Sequence, residues 1–238
     1  MRRVRDALST ECNPHGVIER RREHRQFQGV EAERGECDGM EKDPFNIVVT
    51  GVGGQGNVLA SQIMGAILVD KGYKVTIGET YGASQRGGSV MSHVRISAKR
   101  QYGPLIPPRA ADLVMALEPS EAVRVLGQFG NPDTVSVVNT RPVYPMDVIS
   151  GDVAYPSMDR LMAAIVRLSK KAYFLAATEK ALELGNPILA NIILIGAVAA
   201  AGLLPISEED LEKAVAERMS TGKVEINRRA FRLGKEIL

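Results

Sequence analysis

Apolar and polar positions follow a regular pattern from Asn46 onward. Ile47-Val48-Val49-Thr50 is a short β-branched run, which is typical of a strand buried on both faces. Glycines follow, and apolar residues then recur at helical spacing over residues 57–70, with Gly72 marking the end of the helix. Residues 74–79 have the composition of a second strand. The pattern therefore predicts the strand-helix-strand unit of a parallel sheet.

The alternation of strands and helices continues to the end of the chain. Residues 89–97 alternate with period two, which predicts a strand with one polar face, at a sheet edge or over a cavity. Further strands are predicted at 113–117, 135–138 and 172–176, and helices at 119–129, 158–169, 178–184, 188–203, 207–219 and 225–238. The sequence thus predicts an α/β fold with a Rossmann-like parallel sheet. Its helical C-terminal third is expected to shield one sheet face or to dock on a partner.

One long apolar stretch, residues 188–204, is close in length to a membrane span. Asn191 interrupts this stretch, Gly196 and several alanines suit close packing, and Pro205 ends it. We therefore expect a helix that is buried inside the protein rather than one that crosses a membrane.

The first 44 residues differ from the rest of the chain. They mix Arg, Glu, Gly and His without an apolar period, which predicts a disordered N-terminal extension over residues 1–44 and one folded domain over residues 45–238. Met40 stands just before the folded part and would serve as a start. The extension is therefore either a natural tail or not natural coding sequence, and the residues do not decide between these two.

Charge and cysteine content narrow the range of partners. The 30 basic and 28 acidic side chains leave a formal net charge of +2, which implies neither a nucleic acid nor an acidic membrane as partner. Cys12 and Cys37 both precede the folded part, so a disulfide framework is excluded there, and an iron–sulfur cluster lacks its thiolates. The basic N-terminus has no apolar segment after it, so we expect no secretory signal and a cytoplasmic protein.

The first glycine motif has two interpretations. Gly51, Gly53 and Gly56 satisfy G-x-G-x-x-G between a strand and a helix, where backbone N–H groups can hold a phosphate. Glu79 follows about 20 residues later, where an acidic residue could bind the ribose of NAD. Alternatively, the glycines only allow a tight turn at a protein interface or CoA pocket. On either view the candidate cofactor-binding residues are Gly53, Gly54, Gln55 and Gly56.

A second glycine-rich segment follows the second predicted strand. Arg86 stands there between a polar run and two glycines, and its planar fork of donors suits a carboxylate or phosphate. In the alternative, Arg86 pairs with an acidic neighbour such as Glu79 or Glu118 in an ordinary surface loop. The candidate substrate-binding or interface residues of this segment are Ser84, Gln85, Arg86, Gly87, Gly88 and Ser89.

The folded part is poor in catalytic groups of its own. His93 is its one histidine, and it is a general base, a ligand or simply a satisfied residue on a sheet face. The spacings of a zinc site, a nucleophile elbow and a P-loop are missing from the sequence. We therefore assign no catalytic residue and no metal site to the chain.

Three motifs resemble the gamma domain of 2-oxoacid:ferredoxin oxidoreductases. They are Gly-Val-Gly-Gly-Gln-Gly at 51–56, Tyr-Gly-Ala-Ser-Gln-Arg-Gly-Gly-Ser-Val at 81–90 and Ser-His-Val-Arg at 92–95. Four further motifs are similar to the beta subunit of the indolepyruvate branch, namely 104–107, 116–119, 138–142 and 185–186 with 190–191. Gamma subunits of the pyruvate and 2-oxoglutarate branches usually carry Pro-Glu in place of Ser84-Gln85 and lack Asn-Thr-Arg-Pro. The resemblance covers residues 45–238 and marks them as a gamma-type catalytic domain.

The resemblance implies a division of labour between subunits. Thiamine diphosphate and the iron–sulfur clusters are expected on a partner alpha subunit, while this chain packs beside the thiamine site and contributes to the CoA and substrate surroundings. The whole complex would decarboxylate an aryl pyruvate, pass electrons to ferredoxin and release an acyl-CoA. We expect residues 53–56 and 85–88 to lie together at the carboxyl edge of the sheet, facing that partner. Arg86 would contact the CoA phosphates, the substrate carboxylate or the partner chain.

Three alternatives remain open from the sequence. The chain could be a gamma subunit of the pyruvate or 2-oxoglutarate type, which differs in the 2-oxoacid. It could be a free-standing NAD-dependent oxidoreductase that uses the same glycine turn. It could also be a purely structural interaction module, whose loop variants would change assembly but not turnover.

Overall fold

The computed structural model describes residues 42–81, 88–218 and 221–238. The predicted extension at 1–44 lies outside the described residues, apart from its last three positions. The strands are β1 (Phe45–Val52), β2 (Lys74–Tyr81), β3 (Ser89–Ser97), β4 (Leu113–Ala116), β5 (Val135–Asn139) and β6 (Lys171–Leu175). The helices are α1 (Asn57–Asp70), α2 (Pro119–Phe129), α3 (Met146–Ile149), α4 (Met158–Leu168), α5 (Ala177–Glu183), α6 (Ala190–Ala200), α7 (Glu208–Ala216) and α8 (Val224–Glu236). Short 3-10 helices span Pro187–Leu189 and Thr221–Lys223.

The described strands form one six-stranded sheet in the order β2-β3-β1-β4-β5-β6. β1, β4, β5 and β6 are parallel to one another, whereas β3 is antiparallel to both of its neighbours. β2 therefore runs in the same direction as β1. The predicted α/β fold with a Rossmann-like parallel sheet is confirmed except at β3, whose reversed direction makes the described sheet mixed but mostly parallel.

β3 lies inside the sheet, so its predicted position at a sheet edge is wrong. His93 is buried, because the chain after β3 folds back over its face of the strand, and Ser92 is buried on the opposite face. There the Ile106 N–H donates to His93 Nδ1 (3.4 Å), and Arg95 donates to the Leu105 carbonyl. Period-two alternation shows that the two faces of a strand differ in polarity, but not whether water or protein covers the polar face.

Helices cover both faces of the sheet. Ile47 and Val49 of β1 point to the face covered by α1, α6, α7 and α8, while Val48 points to the face covered by α2 and α4. The helix after β1 and the helix after β4 thus lie on opposite faces. Such a reversal opens a crevice between the two strands at their carboxyl ends, where α/β proteins bind ligands.

The helical C-terminal third shields one face of the sheet, as predicted. α6 is buried over most of its length, which confirms the expectation for residues 188–204. Its backbone touches that of α8, since a Cβ added at Gly234 would lie 1.9 Å from the Ile193 carbonyl oxygen. Among the described helices, none combines the length and the apolar character that crossing a bilayer requires.

Candidate functional site

The carboxyl ends of β1, β4, β5 and β6 meet at one edge of the sheet, and the site is built there. A cavity of about 410 Å³ opens beside the reversal between β1 and β4. Gly54, Leu117, Arg141, Thr178 and Ile188 are among its lining residues. Another cavity, of about 440 Å³, lies between the C-terminal part of α1 and the N-terminal part of β2, away from the carboxyl edge of the sheet. The position of the first cavity matches the ligand crevice of doubly wound α/β folds.

The glycine turn after β1 is closed by the side chain of Gln55. The Val52 N–H donates to Gln55 Oε1 (2.7 Å), and Gln55 Nε2 donates to the Leu117 carbonyl (3.0 Å) at the end of β4. The Gln55 N–H bonds back to the Val52 carbonyl (3.2 Å). Gly56, the N-cap residue directly before α1, has a φ of +83°, a conformation that suits glycine. Several polar groups of the turn, including the Val52 and Gln55 N–H groups, are therefore already hydrogen-bonded within the protein.

The two glycine segments meet at a described contact. The Gly53 N–H donates to the Gly88 carbonyl (2.9 Å), and Ser89 pairs with Val52 in the β1–β3 ladder. Gly88 and Ser89 thus lie beside the turn, while Gly54 is its exposed member, with no atom within 4 Å of an added Cβ. Four of the predicted residues, namely Ser84, Gln85, Arg86 and Gly87, lie outside the described residues.

Glu118, the second residue after β4, is fully buried, and its carboxylate accepts from four donors. Its carboxylate accepts from Ser120 Oγ (2.6 Å), from the Glu121 N–H (2.8 Å), from the Val143 N–H (3.5 Å) and from the Tyr155 hydroxyl. Burial, and then the hydrogen bond to Glu118, raise the pKa of Tyr155 well above its usual value, so that its hydroxyl stays a donor.

Asn139, at the end of β5, joins three elements. Its Nδ2 donates to the Leu117 carbonyl (3.0 Å) and to Thr178 Oγ1 (2.9 Å), and its Oδ1 accepts from the Thr178 N–H (3.1 Å). The Leu117 carbonyl therefore receives both the Gln55 and the Asn139 amides. These bonds fix the floor of the cavity to the ends of β1, β4 and β5.

The positively charged side chain of Arg141 lies at the rim of the cavity. Arg141 Nη1 lies 3.2 Å from Glu179 Oε1, and the two side chains are 52% and 43% exposed. A half-exposed pair of this kind contributes little to stability, which leaves the guanidinium able to turn toward an anion. Neither Arg141 nor Asn139 was predicted as a site residue, although both belong to the 138–142 motif that carried the family resemblance.

His93 is a satisfied core residue rather than a catalytic group. It is 2% exposed, its Nδ1 accepts from Ile106, and its ring stands edge-on to Phe129 at 5.0 Å. Burial, and then the charge of Arg95, lower the pKa of His93 below its usual value of 6.5. Within the described ranges, no three His, Cys, Asp or Glu side chains come together as a metal site.

The strand order argues against a dinucleotide site of the usual kind. There, the acidic residue on β2 reaches the ribose because β2 lies next to β1. Here β3 lies between them, so Glu79 is two strand spacings, or roughly 10 Å, from β1. The Gly53 and Gln55 N–H groups are also bonded within the protein. These features disfavour NAD on this chain.

The fold and the site together define a doubly wound α/β domain that has a crevice at a reversal point and few catalytic groups among its described residues. The sequence pattern of the family described as pyruvate ferredoxin/flavodoxin oxidoreductase matches residues 46–237, so the chain belongs to this family. The predicted family resemblance is therefore confirmed.

Individual relatives agree with this assignment. The indolepyruvate oxidoreductase subunit IorB of Thermococcus kodakarensis is 38% identical over 192 residues, which are 80% of this chain and 94% of that protein. The subunit of the same name from Archaeoglobus fulgidus is 36% identical over 190 residues, or 80% of this chain and 93% of that protein. The gamma subunit of a keto/oxoacid ferredoxin oxidoreductase from Geobacter sulfurreducens has a TM-score of 0.57 at 26% identity, covering 81% of this chain and 96% of that one.

Proposed function

We propose that this chain is the small subunit of a cytoplasmic indolepyruvate-type 2-oxoacid:ferredoxin oxidoreductase. The complex would oxidatively decarboxylate an aryl 2-oxoacid, release carbon dioxide, form the acyl-CoA and pass the electrons to ferredoxin. The family membership and the names of the two archaeal relatives support this activity. The main structural support for the role proposed for this chain is the contact between Gly53 and Gly88, which lies beside an open cavity at the carboxyl edge of the sheet. Residues 45–238 would then form a gamma-type domain that completes an active centre on another subunit.

The chain itself is a poor carrier of the redox cofactors. Its cysteines are Cys12 and Cys37, whereas an iron–sulfur cluster usually needs about four thiolates. At the glycine turn, the Gly53 and Gln55 N–H groups that could hold a diphosphate donate to carbonyls of the protein. These residues do not fit thiamine diphosphate or a cluster, so we place both on a larger alpha subunit.

The cavity suits part of CoA. Leu117, Val143 and Ile188 supply apolar lining, while the Arg141 guanidinium lies at the rim, where a phosphate could compete with Glu179 for it. In this arrangement the thiol end of CoA, where the thioester forms, would pass the glycine turn to reach the thiamine on the partner subunit. Arg86 stays our candidate for the CoA phosphates, the substrate carboxylate or the partner chain.

An apolar surface beside the cavity supports assembly with the large subunit. We call residues 142–156 the edge segment. It follows β5, and four of its apolar side chains are more than half exposed, namely Tyr144, Met146, Ile149 and Val153. The Val143 N–H and the Tyr155 hydroxyl anchor the segment to Glu118. Exposed apolar clusters on an ordered segment are typical of protein interfaces, and this one adjoins the edge that would face the thiamine site.

Anaerobic affinity purification of the tagged chain from its native cell tests the proposal. We expect a larger companion that contains thiamine and iron to purify with it, and the eluate to reduce a viologen dye when indolepyruvate and CoA are both added. Pyruvate, 2-oxoglutarate and phenylglyoxylate should be poorer substrates, since preference for one of them would reassign the branch. Isolation of the chain alone, with saturable NADH binding, would contradict the proposal.

A further inference from the structure

Glu121 lies in the first turn of α2, and its carboxylate collects hydrogen bonds from three elements. Its Oε2 accepts from Ser89 Oγ (2.5 Å) on β3 and lies 3.3 Å from Thr50 Oγ1 on β1, whose single proton goes either to this oxygen or to the Val90 carbonyl (3.3 Å). The same oxygen accepts from Arg124 Nη2 (2.6 Å) and Nε (3.0 Å) one helical turn further on. The Glu121 side chain is only 13% exposed. A single carboxylate oxygen thus ties two strands to the start of a helix.

β1 leads into the glycine turn, and β3 begins directly after Gly88. Thr50 stands three residues before Gly53, and Ser89 is the residue after Gly88. Since the Gly53 N–H donates to the Gly88 carbonyl, the Glu121 carboxylate lies beneath the point where the two segments touch. Together with the β1–β3 ladder, these bonds therefore help to fix the positions of Gly53 and Gly88 at the edge of the sheet.

Capping of α2 does not explain why a carboxylate is present at position 121. Glu118 already caps α2, because its side chain accepts from the Glu121 N–H. Thr50 is fully buried, and an apolar pair at Thr50 and Glu121 would join the sheet to α2 without removing a charge from water. Arg124 offsets part of the desolvation cost of the carboxylate. A partly buried ion pair that holds a strand end is better explained by positioning than by stability.

We propose that Glu121 is a positioning residue that acts through Ser89 and Thr50 to hold the Gly53–Gly88 contact, and with it the glycine turn after β1, toward CoA. This inference rests on the proposed function. Glu121 lies beneath the segments and takes no part in bond making, so its role is geometric. Small displacements of a binding group can change catalytic efficiency by orders of magnitude.

The test compares Ser89→Ala, Ser89→Thr, Glu121→Gln and Glu208→Gln in the assembled complex, with indolepyruvate, CoA and a viologen dye. We expect S89A and E121Q to raise the KM for CoA about 10-fold, while kcat and the KM for indolepyruvate change less than about 2-fold. S89T, which keeps the hydroxyl, should restore the wild-type KM. E208Q removes an ion pair to Arg232 on α8 and should behave as wild type.

The outcomes separate this inference from the proposed function. Wild-type kinetics in both S89A and E121Q would overturn the positioning role, as would loss of assembly with normal kinetics in the assembled fraction. S89A deletes one hydroxyl, so it decides the question even if E121Q fails to fold. If the wild-type complex oxidises no 2-oxoacid, the proposed function and this inference fall together. If the wild type is active and the variants match it, only the inference falls.

Discussion

His93 on β3 and Glu118 after β4 are both buried, but their surroundings give them different roles. His93 accepts one backbone N–H and contacts Phe129, while burial lowers its pKa, so it fills the core in the neutral form. Glu118 accepts from the Tyr155 hydroxyl and from the start of α2, and so holds the edge segment beside the cavity. At this scale the hydrogen-bond partners, not the residue types, separate a core residue from one that shapes the site.

The lowered pKa of His93 predicts how stability changes with pH. The unfolded chain takes up a proton near pH 6.5, while the folded chain resists it, so the free energy of unfolding should fall as the pH drops below that value. At higher pH the contribution is fully present. Urea denaturation between about pH 8 and about pH 5 should show a steeper loss for wild type than for His93→Gln. A difference between the two proteins that is independent of pH would contradict this assignment.

At the scale of elements, α6 and α8 approach so closely that side chains are excluded at their crossing. A Cβ at Gly196 would lie 2.2 Å from the Phe231 carbonyl oxygen, and a Cβ at Gly234 would meet the Ile193 carbonyl. The contact packs α8 against α6, which covers the sheet, so the C-terminal helices share one hydrophobic core with this face of the sheet. Glycine at these positions serves close packing of two helices rather than flexibility.

Replacement of Gly234 by Ala should therefore destabilise the protein. The added methyl group overlaps a backbone carbonyl that cannot move without displacing α6, so we expect a loss of about 1–3 kcal/mol. Gly127→Ala on α2 is the matched control, since an added Cβ there meets no atom within 4 Å. It should leave stability unchanged or raise it by up to about 1 kcal/mol. Equal urea midpoints for both variants would show that the two helices do not touch as described.

At the scale of the whole molecule, the proposed assembly depends on which surface of this chain would face the large subunit. The edge segment carries exposed apolar side chains together with Asp147 and Asp152, and residues 142–156 include no basic residue. Pro142 and Val143 of this segment line the cavity together with Gly54 and Gln55. These features favour a partner surface that is apolar with a basic rim.

Ile149→Asp should weaken assembly without unfolding the chain. Ile149 is 67% exposed, so a charge there costs little in the free subunit but would have to be buried at an interface. We expect the recovered large subunit to fall at least about 10-fold, consistent with a loss of more than about 1.4 kcal/mol of binding free energy. Val166→Asp on α4, at a position 56% exposed, is the control and should assemble normally. Equal recovery with both variants would exclude the edge segment from the interface.

The sequence by itself determined the elements and the family. Periodicity located all six described strands and placed α1 and α2 at their observed bounds, because local spacing of apolar residues records which side of an element is buried. Short motifs at 51–56, 81–90 and 138–142 then identified the family. The short helix α3 was missed, since it buries no residue and leaves no apolar period.

Only the tertiary structure decided the strand order and the roles of the polar residues. β3 lies between β2 and β1, which moves Glu79 away from the glycine turn and weakens the NAD interpretation. Gln55, a predicted cofactor ligand, donates to Leu117, which is 62 residues away in the chain, and Glu121 binds Ser89 across 32 residues. The physical reason is that periodicity reports which side of an element is buried, whereas hydrogen-bond partners depend on which distant segments the fold brings together.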